Sequence, residues 1–428
     1  MKLPHPLRAI RKAGSSIKDI RARHSARKRS SGMGFLLADS VDFLEAQRWD
    51  ELTRHSSVWM RRDVLRVIEH SGPENVTPRY AMIFRDGIPV AALVAQIVHV
   101  TGDRFALDPD AKAKSAESKD RKSLVKKLLK PAKHLATKKL NQRLLVAGNL
   151  LCWGFHGITM HPEIEPEELW SGIGEALYRM RRAERLTGQT NLVMVKDFTP
   201  LQSGMDSLHR LSYRPLETEP DMVLSIADSW KTYDDYLAAL ESKYRSNAKA
   251  QMKKLAAGNV VIERLHDLSP HAGRLHELYK DVQKNAAVKL VTVPETYLCD
   301  LSNALGDSFR CHVARRNGEI LGFVTTVKDR DTTIAYYIGF DREAASGGLP
   351  IYLRLLHATI ADAIDWGTSR LSLGRTALEP KAAMGAKPEP LSVWLRHRVP
   401  VMNWMVRGLL NTVSHEEPPD RSPFKTSV

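Results

Sequence analysis

The chain is poor in cysteine and in aromatic residues: it has three cysteines, Cys152, Cys299 and Cys311, and its aromatic content is 7%. Cysteines so few and so far apart supply neither a paired disulfide framework nor the close spacing of a metal cluster, which excludes a disulfide-rich secreted scaffold and points to a reducing compartment. Long clean apolar runs are also lacking. The most apolar stretch, 144–160, is interrupted by Asn149 and His156 and is rich in glycine, so it reads as core strand and not as a membrane span. No secretory signal is visible, because no apolar segment follows the first basic residues. Acid is scarce at the N-terminus, where Asp19 stands alone among Arg8, Arg11, Lys12, Lys18, Arg21, Arg23, Arg27, Lys28 and Arg29.

What the chain has in excess is positive charge. Its formal net charge is +15 over 428 residues, gathered in an N-terminal arm (1–39), expected to be disordered, and in a lysine-rich stretch at 108–143. Such segments suit phosphates of nucleic acid, of a cofactor or of an anionic membrane; the arm also has the look of a mitochondrial transit peptide, or of a solvated tail with no partner. With 43% apolar residues the chain can bury a core, and its length suits two or three domains.

The strongest pattern is a repeat. Arg85-Asp86-Gly87 opens an apolar run from Ile88 to Val100, and Arg316-Asn317-Gly318 opens another that reaches Val327; both read as tight turns between antiparallel strands. Further on, an amphipathic helix, a glycine and a short strand recur. The first copy is Glu168 to Arg185, Gly188 and Asn191 to Lys196; the second is Leu349 to Trp366, Gly367 and Arg370 to Arg375. One apolar stripe marks each helix, Leu169, Ile173, Leu177 and Met180 in the first, Leu353, Leu356, Ile360 and Ile364 in the second. The expected fold class is therefore mixed α/β (α+β), two similar lobes in tandem, each a mainly antiparallel sheet flanked by helices. The first lobe spans 40–228 and carries the basic stretch 108–143 as an insertion. The second spans 229–413 and begins with a charged helical linker at 230–257, and the tail at 414–428 is expected to be disordered.

Helix, antiparallel meander, helix and strand, used twice, resembles the GNAT acyltransferase fold in tandem, as in the FemAB-like and BioF2-like N-acyltransferases. The residues that carry the likeness are Tyr236 to Asn247 in the linker and the closing run Leu373-Gly374-Arg375-Thr376, Lys381, Gly385-Ala386-Lys387 and Pro390-Leu391. The resemblance implies acyl transfer to an amine, with no tightly bound cofactor and no metal. The donor it implies is a thioester of coenzyme A or acyl carrier protein, or an aminoacyl-tRNA ester in the peptidoglycan branch. Bacterial ceramide synthases are counted in this broad family, which adds lipid amines to the acceptor classes it implies.

Aminolysis of a thioester needs a group to take the amine proton, and donors or positive charge where the oxyanion develops. Candidates for these catalytic roles are His156, Lys381, Tyr337 and Asp197. His156, in Trp153-Gly154-Phe155-His156-Gly157, is the base candidate by residue type, with a satisfied core histidine as the plain alternative. Asp197 is a second candidate base, or simply the partner of Lys196. The resemblance places Lys381 near the reacting carbonyl, as an oxyanion or phosphate stabiliser; otherwise it is a loop lysine. Tyr336 and Tyr337 alternate on one strand, so one faces the core and the other the cleft. Arg375 and its first-copy counterpart Lys196 end strands, where α/β folds present binding groups. The turn Arg342 to Gly348 stands where the resemblance expects a coenzyme A pyrophosphate, with Ser346, Gly347 and Gly348 offering backbone N–H groups, although Glu343 departs from the family's basic turn. The first copy, His161 to Glu167, is acidic, which puts the donor on the second lobe. Lys243 and Arg245 can hold acidic groups of donor or acceptor. The stretch 391–407 mixes Trp394 and Trp404 with aliphatic residues and arginines, a composition that suits a membrane interface or a packed closing strand and helix. The resulting expectation is a cytoplasmic enzyme at the inner membrane surface that moves a fatty acyl group from acyl-CoA (or acyl-ACP) to a lipid amine such as a sphingoid base, with the arm and insertion on anionic lipid. The alternatives are a FemAB-like transferase that takes its acyl group from aminoacyl-tRNA, and a non-catalytic basic adaptor for membrane or nucleic acid.

Overall fold

A computed structural model of the chain describes residues 30–101, 141–200, 202–284, 289–399, 402–403, 419 and 421–425. The basic arm up to residue 29, the insertion up to residue 140 and Trp404 lie outside these residues.

Both Arg-Asx-Gly motifs are hairpin turns. In the first lobe β1 (Gly34–Ala38), α1 (Ala46–Thr53) and α2 (Arg62–Ser71) lead to β2 (Val76–Arg85) and β3 (Ile88–Thr101). Asp86 and Gly87 between them take φ of 51° and 79°, and Asn317 and Gly318 take 51° and 84°. Positive φ at both central residues is the type I′ geometry, whose twist matches the flanking strands and which Asx-Gly adopts at least cost. The lobe continues with β4 (Asn141–Ala147), β5 (Ile158–Met160), α3 (Pro166–Ala183), β6 (Thr190–Phe198), α4 (Asp206–Arg210) and β7 (Arg214–Ser225). Linker helices α5 (Tyr233–Ala239) and α6 (Ser242–Ala257) follow. The second lobe then repeats the order with β8 (Val261–Leu265), α7 (Ala272–Gln283), α8 (Tyr297–Leu305), β9 (Phe309–Arg316), β10 (Glu319–Asp329), β11 (Thr332–Phe340), α9 (Arg342–Ser346), α10 (Ile351–Asp365), β12 (Arg370–Ser372), α11 (Leu378–Ala383) and β13 (Lys387–His397).

One sheet runs through both lobes, in the order β1-β2-β3-β4-β6-β13-β7-β12-β11-β10-β9-β8, with β5 also paired to β3. The last strand sits away from the rest of its own lobe. β13 lies between β6 and β7 of the first lobe, antiparallel to both, and β7 in turn pairs with β12 of the second. It carries Trp394 into the first-lobe core, where the indole is 5% exposed and its centre lies 5.8 Å from that of Phe198. Of the two readings of the C-terminal stretch, Trp394 thus follows the packed strand. The lobes also share a helical core, in which Trp49, Trp59 and Leu65 of α1, α2 and their connection join Leu278, Tyr297 and Leu301 of α7 and α8.

Two strands stop earlier than their apolar sequences suggest. β4 ends at Ala147 and not near Phe155, and β12 ends at Ser372 before Arg375. Each is followed by a glycine with positive φ, Gly148 (114°) and, one residue on, Gly374 (80°), which turns the chain out of the ladder. These are the points where the parallel pairs β4/β6 and β11/β12 diverge. Within the tail expected to be disordered, residues 421–425 are docked: Leu240 and Phe424 form a bridge, and the Phe424 ring packs on Trp230 and fills the place a side chain on Gly385 would need.

Because β13 serves both lobes, Trp394→Ala is expected to cost about 3–5 kcal/mol and to leave a single denaturant transition for both lobes. Circular dichroism and hydrogen exchange of the two halves, followed in parallel, measure this.

Candidate active site

The site is built on an excursion of the chain. Between β4 and β5, residues 148–157 leave the sheet and return to the same place: Gly148 N donates to Val94 O and Val94 N donates to Gly157 O, both at 2.8 Å. Gly157 packs so close to Gly148 that a Cβ would collide with its backbone. Glycine at both feet is what lets the excursion close.

Buried polar groups hold its interior. Gln96, fully buried on β3, accepts from Leu150 N at 2.8 Å and donates to Asn149 Oδ1, which also accepts from Leu151 N. Lys196 donates to the carbonyls of Asn149 (2.9 Å) and Cys152 (2.6 Å) and pairs with Asp197 at 2.6 Å. Asp197 accepts from Gly154 N at 2.9 Å and is gripped from the second lobe by Arg375. Neighbours in a regular strand point to opposite faces. Here φ of 61° at Asp197 breaks that alternation at the end of β6, and its carboxylate meets the neighbouring lysine. Burial is the largest influence on this carboxyl and would raise it, yet Lys196 and Arg375 together hold it below the usual carboxylate range.

The excursion delivers two side chains to the second lobe. Trp153 donates to Ser372 Oγ at 2.7 Å, and Ser372 donates onward to Asp221 at 2.6 Å. His156 Nδ1 lies 3.1 Å from Asp329 Oδ2, within ion-pair distance though not aligned as a hydrogen bond. Asp329 closes β10, is 1% exposed, and accepts from Ser57 Oγ (2.8 Å) and Val58 N (2.9 Å). Burial alone would raise its carboxyl; His156, Val58 and Ser57 hold it low, so it stays a carboxylate facing the imidazole. The imidazole lines a cleft of about 390 Å³ whose apolar wall is Phe155, Ile158, Met160 and Trp170, with Arg330 among the polar residues. The ring thus has one nitrogen within ion-pair distance of a buried acid and the other free of a hydrogen bond among the described residues, a placement compatible with accepting a proton.

The other candidates fall elsewhere. Asp197 is fully buried, paired with both Lys196 and Arg375, and held low by them. Lys196 and Arg375 share Asp197 as an ion-pair partner, and Lys196 also donates to the excursion's carbonyls. Lys381 is 3% exposed, donates to Gly374 O at 3.0 Å, and is pulled by burial to about 8, beside Asp221, which burial pushes up to about 6. Tyr337 is half-buried with its hydroxyl 3.5 Å from Leu151 O, and burial drives the phenol well above its usual range. At the expected pyrophosphate turn the amides of Gly347 and Gly348 are spent on Glu343 O and Ala345 O, while Asp341 accepts from the amides of Glu343 and Ala344. The expected cradle of free N–H groups is therefore not formed by Gly347 and Gly348, and the position at the start of α9 already holds a carboxylate. Arg245 caps α5 through Leu240 O at 2.8 Å, and Lys243 is exposed. Asp329 and Ser57 were not candidates in the sequence; the one available signal was an acid ending a long apolar strand. No group of three or more His, Cys, Asp or Glu side chains able to hold a metal occurs among the described residues.

Residues 242–382 match the family model described as acetyltransferase (GNAT) domain. The match lies within the second lobe, and the first lobe repeats that lobe's element order. No curated protein matches the sequence. Among solved structures, FemX aligns over 87% of this chain and 100% of its own at 10% identity and a TM-score of 0.49. The C-terminal domain of a putative lysylphosphatidylglycerol synthetase from Agrobacterium fabrum aligns over 85% and 95% at 11% identity and 0.47. A tandem GNAT protein from the clavulanic acid biosynthesis pathway aligns over 85% and 98% at 11% identity and 0.46. These likenesses are too distant to indicate what this protein acts on.

Asp197→Asn would leave Lys196 and Arg375 without their shared acid and is expected to cost about 3–5 kcal/mol, read by urea unfolding at neutral pH. The carboxyl titrates lower folded than unfolded, so its contribution is complete above about pH 4 and fades as pH falls through the folded value. The gap between variant and wild type should close on acidification.

Proposed function

We propose that this enzyme transfers a fatty acyl group from acyl-CoA to the primary amine of a lipid, such as a long-chain sphingoid base, and that the amine enters the cleft beside His156. The observation that carries this reading is the pairing of His156 with buried Asp329 in a cleft whose other wall is apolar. The amine nitrogen attacks the thioester carbonyl; a C–N bond forms and the C–S bond breaks. His156 Nε2 accepts the proton the amine loses, Asp329 balances the imidazolium, and the coenzyme A thiolate leaves and is protonated. Phe155, Ile158, Met160 and Trp170 favour the aliphatic part of the acceptor near its amine, and Arg330 supplies positive charge on the second-lobe side. The donor belongs with the second lobe, the part matched by the acetyltransferase model.

The test is full-length protein with palmitoyl-CoA and a sphingoid base, followed by free-thiol release and by mass spectrometry of the amide. Wild type should form amide, and folded His156→Ala should be slower by about 10²–10⁴-fold. Absence of amide with any lipid amine would remove the lipid acceptor, and an undiminished rate in His156→Ala would remove the base.

A further inference from the structure

α6 contains no acidic residue. Its cations are Lys243, Arg245, Lys249, Lys253 and Lys254. Arg245 is consumed inside the fold as the cap of α5. The four lysines are exposed, and none takes part in an ion pair among the described residues. Ala248 and Leu255, 3% and 4% exposed, mark the inward edge. At about 100° per residue, all four lysines fall on the outward half, interspersed with the small residues Ser246, Ala250 and Ala257.

Such a helix opposes itself. Lys249 and Lys253 are like charges one turn apart, and Lys243 stands in a first turn that has no acid, at the positive end of the helix dipole. α3 shows the self-compensated arrangement, with Glu167 and Glu168 in its first turn and Arg181 and Arg182 in its last. An anionic surface laid along α6 would relieve both repulsions.

We propose that the outward face of α6 is a contact surface for an anionic phospholipid bilayer, separate from any contact made by the basic arm. It rests on the lipid-amine reading, since an enzyme with such an acceptor works where the acceptor lies. The lysines occupy a band of about 140° on the outward half, its small residues let the helix approach a plane, and the flexible lysine stems reach phosphates from a flat surface. The face has no aromatic side chain on which a base could stack, which favours diffuse lipid charge over single-stranded nucleic acid.

The experiment compares full-length wild type with the Lys249→Glu, Lys253→Glu double variant in three assays: co-sedimentation with phosphatidylglycerol/phosphatidylcholine vesicles, co-sedimentation with phosphatidylcholine vesicles, and retention of bulk tRNA. Amide formation with a short-chain amine in vesicle-free solution is measured alongside. Wild type should bind the anionic vesicles only, and the double variant should bind them at least about tenfold more weakly while its solution rate stays within about twofold. Equal vesicle binding by both proteins would overturn the surface, as would a charge-dependent loss confined to tRNA. A binding difference that persists although neither protein acylates any amine would support the surface and count against the proposed function alone.

Discussion

Asp197 is the acid on which both lobes converge. Lys196 approaches it from its own strand, Arg375 from the second lobe, and the Gly154 amide from the excursion that carries His156. A carboxylate removed from water is costly unless paired, and here pairing needs all three neighbours in place. The cluster therefore ties the end of β6, the end of the second lobe's parallel pair and the histidine loop into one geometry. Its worth lies less in net stability than in fixing where His156 stands relative to Asp329.

The sheet enforces the same unity by other means. With β13 between β6 and β7, and β7 against β12, no cut through the sheet separates two complete lobes. The shared helical core of Trp59, Leu278 and Tyr297 closes the other side. The cleft is consequently lined from two lobes that share one sheet and one core, which suits the proposed reaction, in which His156 of the first lobe faces Asp329 of the second. Trp153, anchored on Ser372 and through it on Asp221, adds a second cross-lobe tie from the same excursion.

Local chemistry made much of this legible in the sequence. Asp86-Gly87 and Asn317-Gly318 announce hairpins because only a few residue pairs take positive φ twice, and the stripes of α3 and α10 announce one buried face each. The repeat joined these signals into tandem lobes. Long-range choices left no such mark. The apolar run through Leu144 to Phe155 looks like one strand, yet Gly148 turns it out of the ladder; β13 reads as a strand, but nothing local says it joins the first lobe. His156 was recognisable by residue type, whereas its partner Asp329 lies far along the chain. Lys196, Asp197 and Arg375 were noticed as polar strand ends; that they bind one another depends on the swapped strand bringing those ends together.

The account centres on His156 as the group that takes the amine proton. Chemical rescue addresses it most directly: amide formation by His156→Ala is measured over a series of added imidazole concentrations, with the folded state checked throughout. The account predicts that imidazole, entering the vacated part of the open cleft, raises the variant's rate in proportion to its concentration and leaves the wild-type rate unchanged. A variant that is folded, slow and indifferent to imidazole, or one as fast as wild type without it, would contradict the account.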